Sequence, residues 1–140
     1  MPVLAQLNLV VADMAACVAF YRRLGLVVDD GRPFSPHHVE IEFPGGFTLE
    51  LDSMAFARRW DPGWRGHGGP GRNVIGFSLP SREAVDALHA DLAAAGCATQ
   101  QAPYDAFWGA RYAVVEDPDG NPIGLMSPID RQRQSAPPAM

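Results

Sequence analysis

The chain is poor in the residues that build the commonest chemical centres. It has two cysteines, Cys17 and Cys97. They have no metal-ligand spacing and form no disulfide framework, which predicts reduced thiols in a cytoplasmic protein. No apolar run approaches the roughly 20 residues of a membrane span, and no basic segment precedes an apolar one at the N-terminus. Neither a membrane partner nor a signal peptide is therefore expected. No Gly-x-Gly-x-x-Gly follows a strand, and GHGGPG at 66–71 contains proline and opens no helix, so no phosphate loop is expected. Ser, His and Asp are not placed for a recognisable nucleophilic triad. Positive charge is in deficit, 11 Lys and Arg against 16 Asp and Glu, for a net charge of −5. That balance argues against nucleic acid as a partner.

What is present fits one compact domain of 140 residues with 47% apolar content. Residues 3–11 alternate as a strand. Asp13 is a good N-cap, and Met14, Cys17, Val18, Tyr21 and Leu24 then recur at helical spacing. Cys17 falls on the apolar side, as a buried inert thiol. Val27 and Val28 open a second expected strand. Strands over 37–43 and 47–52 follow, with His38, Glu40, Glu42, Thr48, Glu50 and Asp52 on their polar faces. His37 and His38 are adjacent and point to opposite faces. A short helix is expected over 54–60, then a loop rich in Gly and Pro. The order then repeats: a strand over 73–79, a helix capped by Ser81, a strand over 97–102, and a hairpin turning at Asp117, Pro118, Asp119 and Gly120. Residues 131–140 read as a flexible tail.

The repeat organises the chain. GGFTLELDS at 45–53 lies over DGNPIGLMS at 119–127, and the first strands pair Gln6 with Val74. The expected fold class is α+β. Two βαβββ modules (about 3–53 and 73–129, joined by 54–72) form an incompletely closed sheet around a cleft within a single domain of 1–130.

With LNLVVADMAACVAFYRRLGL at 7–26 and EDPDGNPIGL at 116–125, the chain resembles the vicinal oxygen chelate superfamily. That group includes glyoxalase I, extradiol dioxygenases and bleomycin-type resistance proteins. The resemblance implies an inward metal site at four positions, which here are Gln6, Glu50, Val74 and Gly124. Valine and glycine cannot ligate, so these positions read as vestigial, and no metal or other cofactor is expected. None of the histidines is expected to restore the site. The resemblance also implies a homodimer.

Aromatic residues concentrate around Phe56, Trp60 and Trp64, and around Tyr104, Phe107, Trp108 and Tyr112. Such rings either fill the core or give a flat ligand contact area. WDPGW and FWGARYAVVEDPDGNP resemble the drug-binding branch of the superfamily, including mitomycin-binding proteins. The expected ligand-binding residues are Trp108, Arg111, Tyr104, Trp60, Trp64, Phe56, His38 and Glu50, with no catalytic residue. Glu50 would accept from a ligand amine. Arg111 would anchor an anionic group or serve a structural ion pair. The expected function is metal-independent sequestration of a planar or aromatic small molecule, as in antibiotic resistance or self-protection. The alternatives are a metal-dependent lyase or dioxygenase with an altered site, and a subunit or sensor whose cleft is an interaction surface.

Overall fold

The structure, a computed structural model, describes the chain except residues 2, 63–65, 67–72 and 140. The backbone clusters into two compact units, Met1–Gly69 and Pro70–Met140. No helix among the described residues is long and apolar enough to cross a membrane.

In the first unit, β1 (Gln6–Val11) leads to α1 (Met14–Arg23), then β2 (His38–Glu42), β3 (Thr48–Ser53) and α2 (Met54–Trp60). The sheet order is β1-β3-β2, with β1 parallel and β2 antiparallel to β3. Alternation sorts the side chains: Val39, Ile41, Leu49 and Leu51 are buried with Cys17, Val18 and Tyr21 of α1. The opposite face carries Asn8, His38, Glu40, Thr48, Glu50 and Asp52. Asp13 caps α1, its carboxylate accepting from the Ala16 N–H at 3.0 Å. Ser53 caps α2 in the same way, accepting from the Phe56 N–H at 3.1 Å.

The strand expected at Val27 and Val28 is absent. The Val28 carbonyl accepts from Arg22 Nε at 3.2 Å and Nη2 at 2.7 Å, and Val27 is 91% exposed. A guanidinium thus satisfies the backbone group that a neighbouring strand would need. The first module is βαββ at this point, with three strands in its sheet.

In the second unit, β4 (Ile75–Ser78) is followed by α3 (Arg82–Ala94), β5 (Thr99–Asp105), β6 (Arg111–Glu116) and β7 (Pro122–Met126). The order is β4-β7-β6-β5, with β4 parallel to β7 and the other pairs antiparallel. Val85 and Leu92 of α3 are buried, as are Ala113, Val115, Ile123 and Leu125 of the sheet. Asp117 builds the β6–β7 turn. Its Oδ1 accepts from the N–H groups of Asp119 and Asn121, at 2.9 and 2.8 Å. Pro122 is the first residue of β7, where its missing N–H is tolerated in a sheet.

The tail expected to be flexible is tied down as far as Ser135. Arg131–Arg133 form a 3-10 turn. Asp130 N–H donates to Gly109 O at 3.0 Å and Ser135 N–H to Phe107 O at 2.9 Å, while Gln134 Nε2 donates to Trp108 O at 3.2 Å. The carbonyls left open by the β5–β6 turn supply the partners, and a polar tail sequence satisfies them.

Candidate functional site

Parallel pairing of β1 with β3 sets Asn8 opposite Glu50, and antiparallel pairing of β2 with β3 sets His38 opposite Asp52. Side chains opposite one another on one face of a sheet are within contact range. A hydrogen-bonded network results. Asn8 Nδ2 donates to Glu50 Oε2 at 2.8 Å and to Asp52 Oδ2 at 2.9 Å. Asn8 Oδ1 accepts from Gln6 Nε2 at 2.7 Å, and Thr48 Oγ1 donates to Glu50 Oε1 at 3.3 Å. His38 Nδ1 lies 2.5 Å from Asp52 Oδ1. A carboxylate has no proton to give, so Nδ1 carries the ring proton and Nε2 is the nitrogen left for other partners. Nε2 lies 3.9 Å from Glu40. The Asp52 side chain is only 2% exposed, yet both of its oxygens are satisfied, which is what makes burial of a carboxylate tolerable.

α2 lays two rings beside this network. Phe56 and Trp60 are four residues apart, one above the other on a helix face. Together with Gln6, Asn8, His38, Glu50 and Asp52 they line a hollow of about 250 Å³. Phe56 meets His38 edge to face, with centroids 5.7 Å apart, and Trp60 is 47% exposed. Of the residues expected to bind ligand, Phe56, Trp60, His38 and Glu50 are therefore brought together. Asp52 was not expected among them. Its signal was its position two residues after Glu50 on the same strand face.

The remaining expected residues lie in the second unit, and Trp64 lies outside the described residues. Trp108 is the hub of four rings. It meets Phe107 and Tyr112 edge to face at 5.3 Å each and Tyr104 at 6.3 Å. The rings satisfy one another, and each such pair adds roughly 0.5–1.5 kcal/mol beyond its burial. Arg111 makes structural ion pairs, one of the two roles that the sequence left open for it. Its Nε donates to Asp86 at 2.9 Å and its Nη1 to Asp105 at 3.3 Å. The hydrogen bond to Asp86 is the main cause holding its guanidinium pKa above the ordinary value. Asp105 is also bound by Arg82.

Tyr112 titrates late. Burial, and secondarily Tyr104, raises its pKa above the usual 10.0. The neutral phenol is favoured in the folded state, so its contribution is complete below pH 10 and is lost as pH rises from 10.0 through the folded value. Absorbance titration at high pH should show a delayed phenol that Tyr112→Phe removes. A difference spectrum showing only ordinary phenols would contradict this.

Of the four positions that the resemblance assigns to a metal, Gln6 and Glu50 carry ligand atoms and Val74 and Gly124 do not. At Gly124 an added Cβ would lie 2.8 Å from the Tyr112 hydroxyl and 3.3 Å from Val74 Cγ1. A ring occupies the space a ligand side chain would need, so that set of four does not fit a metal. A different grouping holds the donors. His38, set aside as a ligand in the sequence, joins Glu50 and Asp52, each offering one ligand atom within 4.8 Å of the others.

The sequence model of the Glyoxalase/Bleomycin resistance protein/Dioxygenase superfamily matches residues 3–125. No curated protein matches. Among solved structures, a glyoxalase/bleomycin resistance protein/dioxygenase family enzyme from Burkholderia phytofirmans PsJN is similar at 23% identity and TM-score 0.75, covering 89% of this chain and 97% of that one. A glyoxalase-related enzyme from Fulvimarina pelagi is similar at 21% identity and TM-score 0.78, covering 91% and 89%. A lactoylglutathione lyase from Agrobacterium tumefaciens is similar at 21% identity and TM-score 0.65, covering 89% and 92%. At these identities the likeness is one of fold.

Proposed function

The chain belongs to the glyoxalase/bleomycin resistance protein/dioxygenase superfamily, and on that premise we propose that it binds and sequesters a planar or aromatic small molecule bearing an amine, without a metal. The observation that carries this reading is the hollow where Phe56 and Trp60 lie with the Glu50 and Asp52 carboxylates. Rings supply contact area to a flat ligand, and the Glu50 carboxylate accepts from its protonated amine. The network through Asn8 and His38 holds both carboxylates in place before the ligand arrives, which lowers the cost of ordering on binding. A resistance or self-protection role, as in the drug-binding branch of the superfamily, follows from sequestration without turnover.

The test is tryptophan fluorescence of the metal-stripped protein titrated with mitomycin C and with planar aromatic amines. Saturable quenching that Trp60→Phe reduces, with the ligand recovered unchanged, is expected. Glu50→Gln should weaken an amine ligand by roughly tenfold or more, the scale of a lost charged hydrogen bond. A stoichiometric, tightly held metal in the purified protein would overturn this reading.

That result would favour the second reading, a metal-dependent lyase or dioxygenase. The observation behind it is the grouping of His38, Glu50 and Asp52 within 4.8 Å. A divalent ion held there would act as a Lewis acid on a substrate oxygen. The residues that would hold it come from β2 and β3, with Asn8 positioning both carboxylates.

A further inference from the structure

We propose that a second hollow, which also has Phe56 in its lining, is a subsite for an anionic oxygen group, so that the ligand is dipolar. The proposal rests on the amine-binding reading above and extends it. This hollow, of about 330 Å³, is lined by Phe34, His37, Ala55, Phe56 and Arg59. The carboxylate-bearing hollow is about 250 Å³ and shares Phe56 as a wall. Small-molecule sites commonly run from about 300 to 1,000 Å³. The first hollow alone falls below that range, whereas the two together lie well within it.

Their charges are opposite. The first hollow carries Glu50 and Asp52. The second carries Arg59, which makes no ion pair or hydrogen bond among the described residues. The other described arginines of the first unit are engaged. Arg22 pairs with Asp30 at 2.6 Å and Arg32 with Asp29 at 3.4 Å, and Arg23 and Arg58 have interactions of their own. Arg59 follows Phe56 by three residues and Ala55 by four, so helix periodicity sets it on the face that lines this hollow. A guanidinium presents a planar fork of donors that matches an anionic oxygen group. His37 offers a second donor in one of its tautomers. Its Nδ1 lies 2.9 Å from Ser53 Oγ, which also accepts from the Phe56 N–H. Where the hydroxyl donates to Nδ1, the ring proton sits on Nε2 and His37 is a donor there. The shared wall is aromatic: Phe56 packs edge to face on Phe34 at 5.0 Å and on His38 at 5.7 Å. A flat ring lying over Phe56 would carry an ammonium towards Glu50 and an anionic group towards Arg59.

Isothermal titration calorimetry on the full chain tests this with three probes: 2-naphthylmethylamine, 2-naphthoate and 6-(aminomethyl)-2-naphthoate. The dipolar probe is expected to bind roughly tenfold tighter than the amine, the scale of one charged hydrogen bond. Arg59→Ala should abolish that gain and leave the amine's affinity unchanged, while Glu50→Gln weakens both. Arg59 also lies in the last turn of α2, where a positive charge complements the helix dipole. That structural role alone would shift the melting temperature of Arg59→Ala and leave the affinity ratio untouched. If the dipolar probe gains nothing, or if the gain survives Arg59→Ala, the subsite is wrong and the amine reading stands. If none of the probes binds, both fall.

Discussion

Gly109→Ala is expected to lower the unfolding free energy by roughly 3–5 kcal/mol, through strain at a positive φ together with overpacking. Gly109 has φ +96°, a conformation that side chains other than glycine rarely adopt. The larger part is steric. A Cβ there would lie 2.3 Å from the Asp130 carbonyl oxygen and 3.0 Å from Gln134 Cγ. The obstacle is backbone, so it cannot rotate away. Relief requires the segment from Asp130 to Ser135 to lift from the β5–β6 turn, losing its hydrogen bonds to Gly109, Phe107 and Trp108. Urea unfolding measures the loss. Repeating the substitution in a chain ending at Ile129 separates the two causes, because only the φ strain, on the order of 1–3 kcal/mol, then remains. An equal cost in both backgrounds would show that the tail is not the obstacle.

Gly124→Glu puts a carboxylate at one of the four positions that the resemblance assigns to a metal, and it is expected to destabilise by roughly 3 kcal/mol without creating a metal site. Gly124 is buried in β7, between Gly76 of β4 and Val114 of β6. The Tyr112 ring lies across it, with Cε2 3.2 Å and the hydroxyl 2.8 Å from the position of a Cβ. A glutamate would either displace the phenol, breaking its contacts with Trp108 and Tyr104, or bury a carboxylate beside it. Gly124→Ala asks only the ring to shift and should cost about 1–3 kcal/mol. Adding Tyr112→Ala to Gly124→Glu should recover part of the loss, as expected for neighbours competing for one space. Wild-type stability for Gly124→Glu, or tight nickel binding by calorimetry, would contradict this account.

The fold was legible because its signals are local. Asp13 and Ser81 mark helix starts, Leu49 and Leu51 alternate with Glu50 and Asp52, and the Asp117 turn recurs one module after Pro44 to Gly46. The failed strand at Val27 and Val28 has the composition of a strand. What removes it is a side chain, Arg22, reaching from the preceding helix to the Val28 carbonyl. The candidate site was legible in kind and not in grouping. The rings and Glu50 stand out in the sequence by residue type. That Asp52 meets His38 and Asn8 depends on strand register, which one sequence leaves open until the strands are paired. The same holds for Arg111, whose partner Asp86 lies on α3 and is invisible to any reading of the hairpin alone.

The strand orders also bear on how the chain comes to fold. Among the described residues, β1 and β4 are the first strands of their units, and each pairs only with the last, β3 or β7. The hydrogen bonds of the leading strand must wait until the whole unit has been synthesised. Closing such a long loop comes before any reward from pairing, so the parallel contact should form late and slowly. During that interval the apolar side of β1, with Leu7, Leu9 and Val11, has α1 as its nearest cover in the chain. A well-capped α1, which needs no later strand in order to form, would then be the first element available to cover that side.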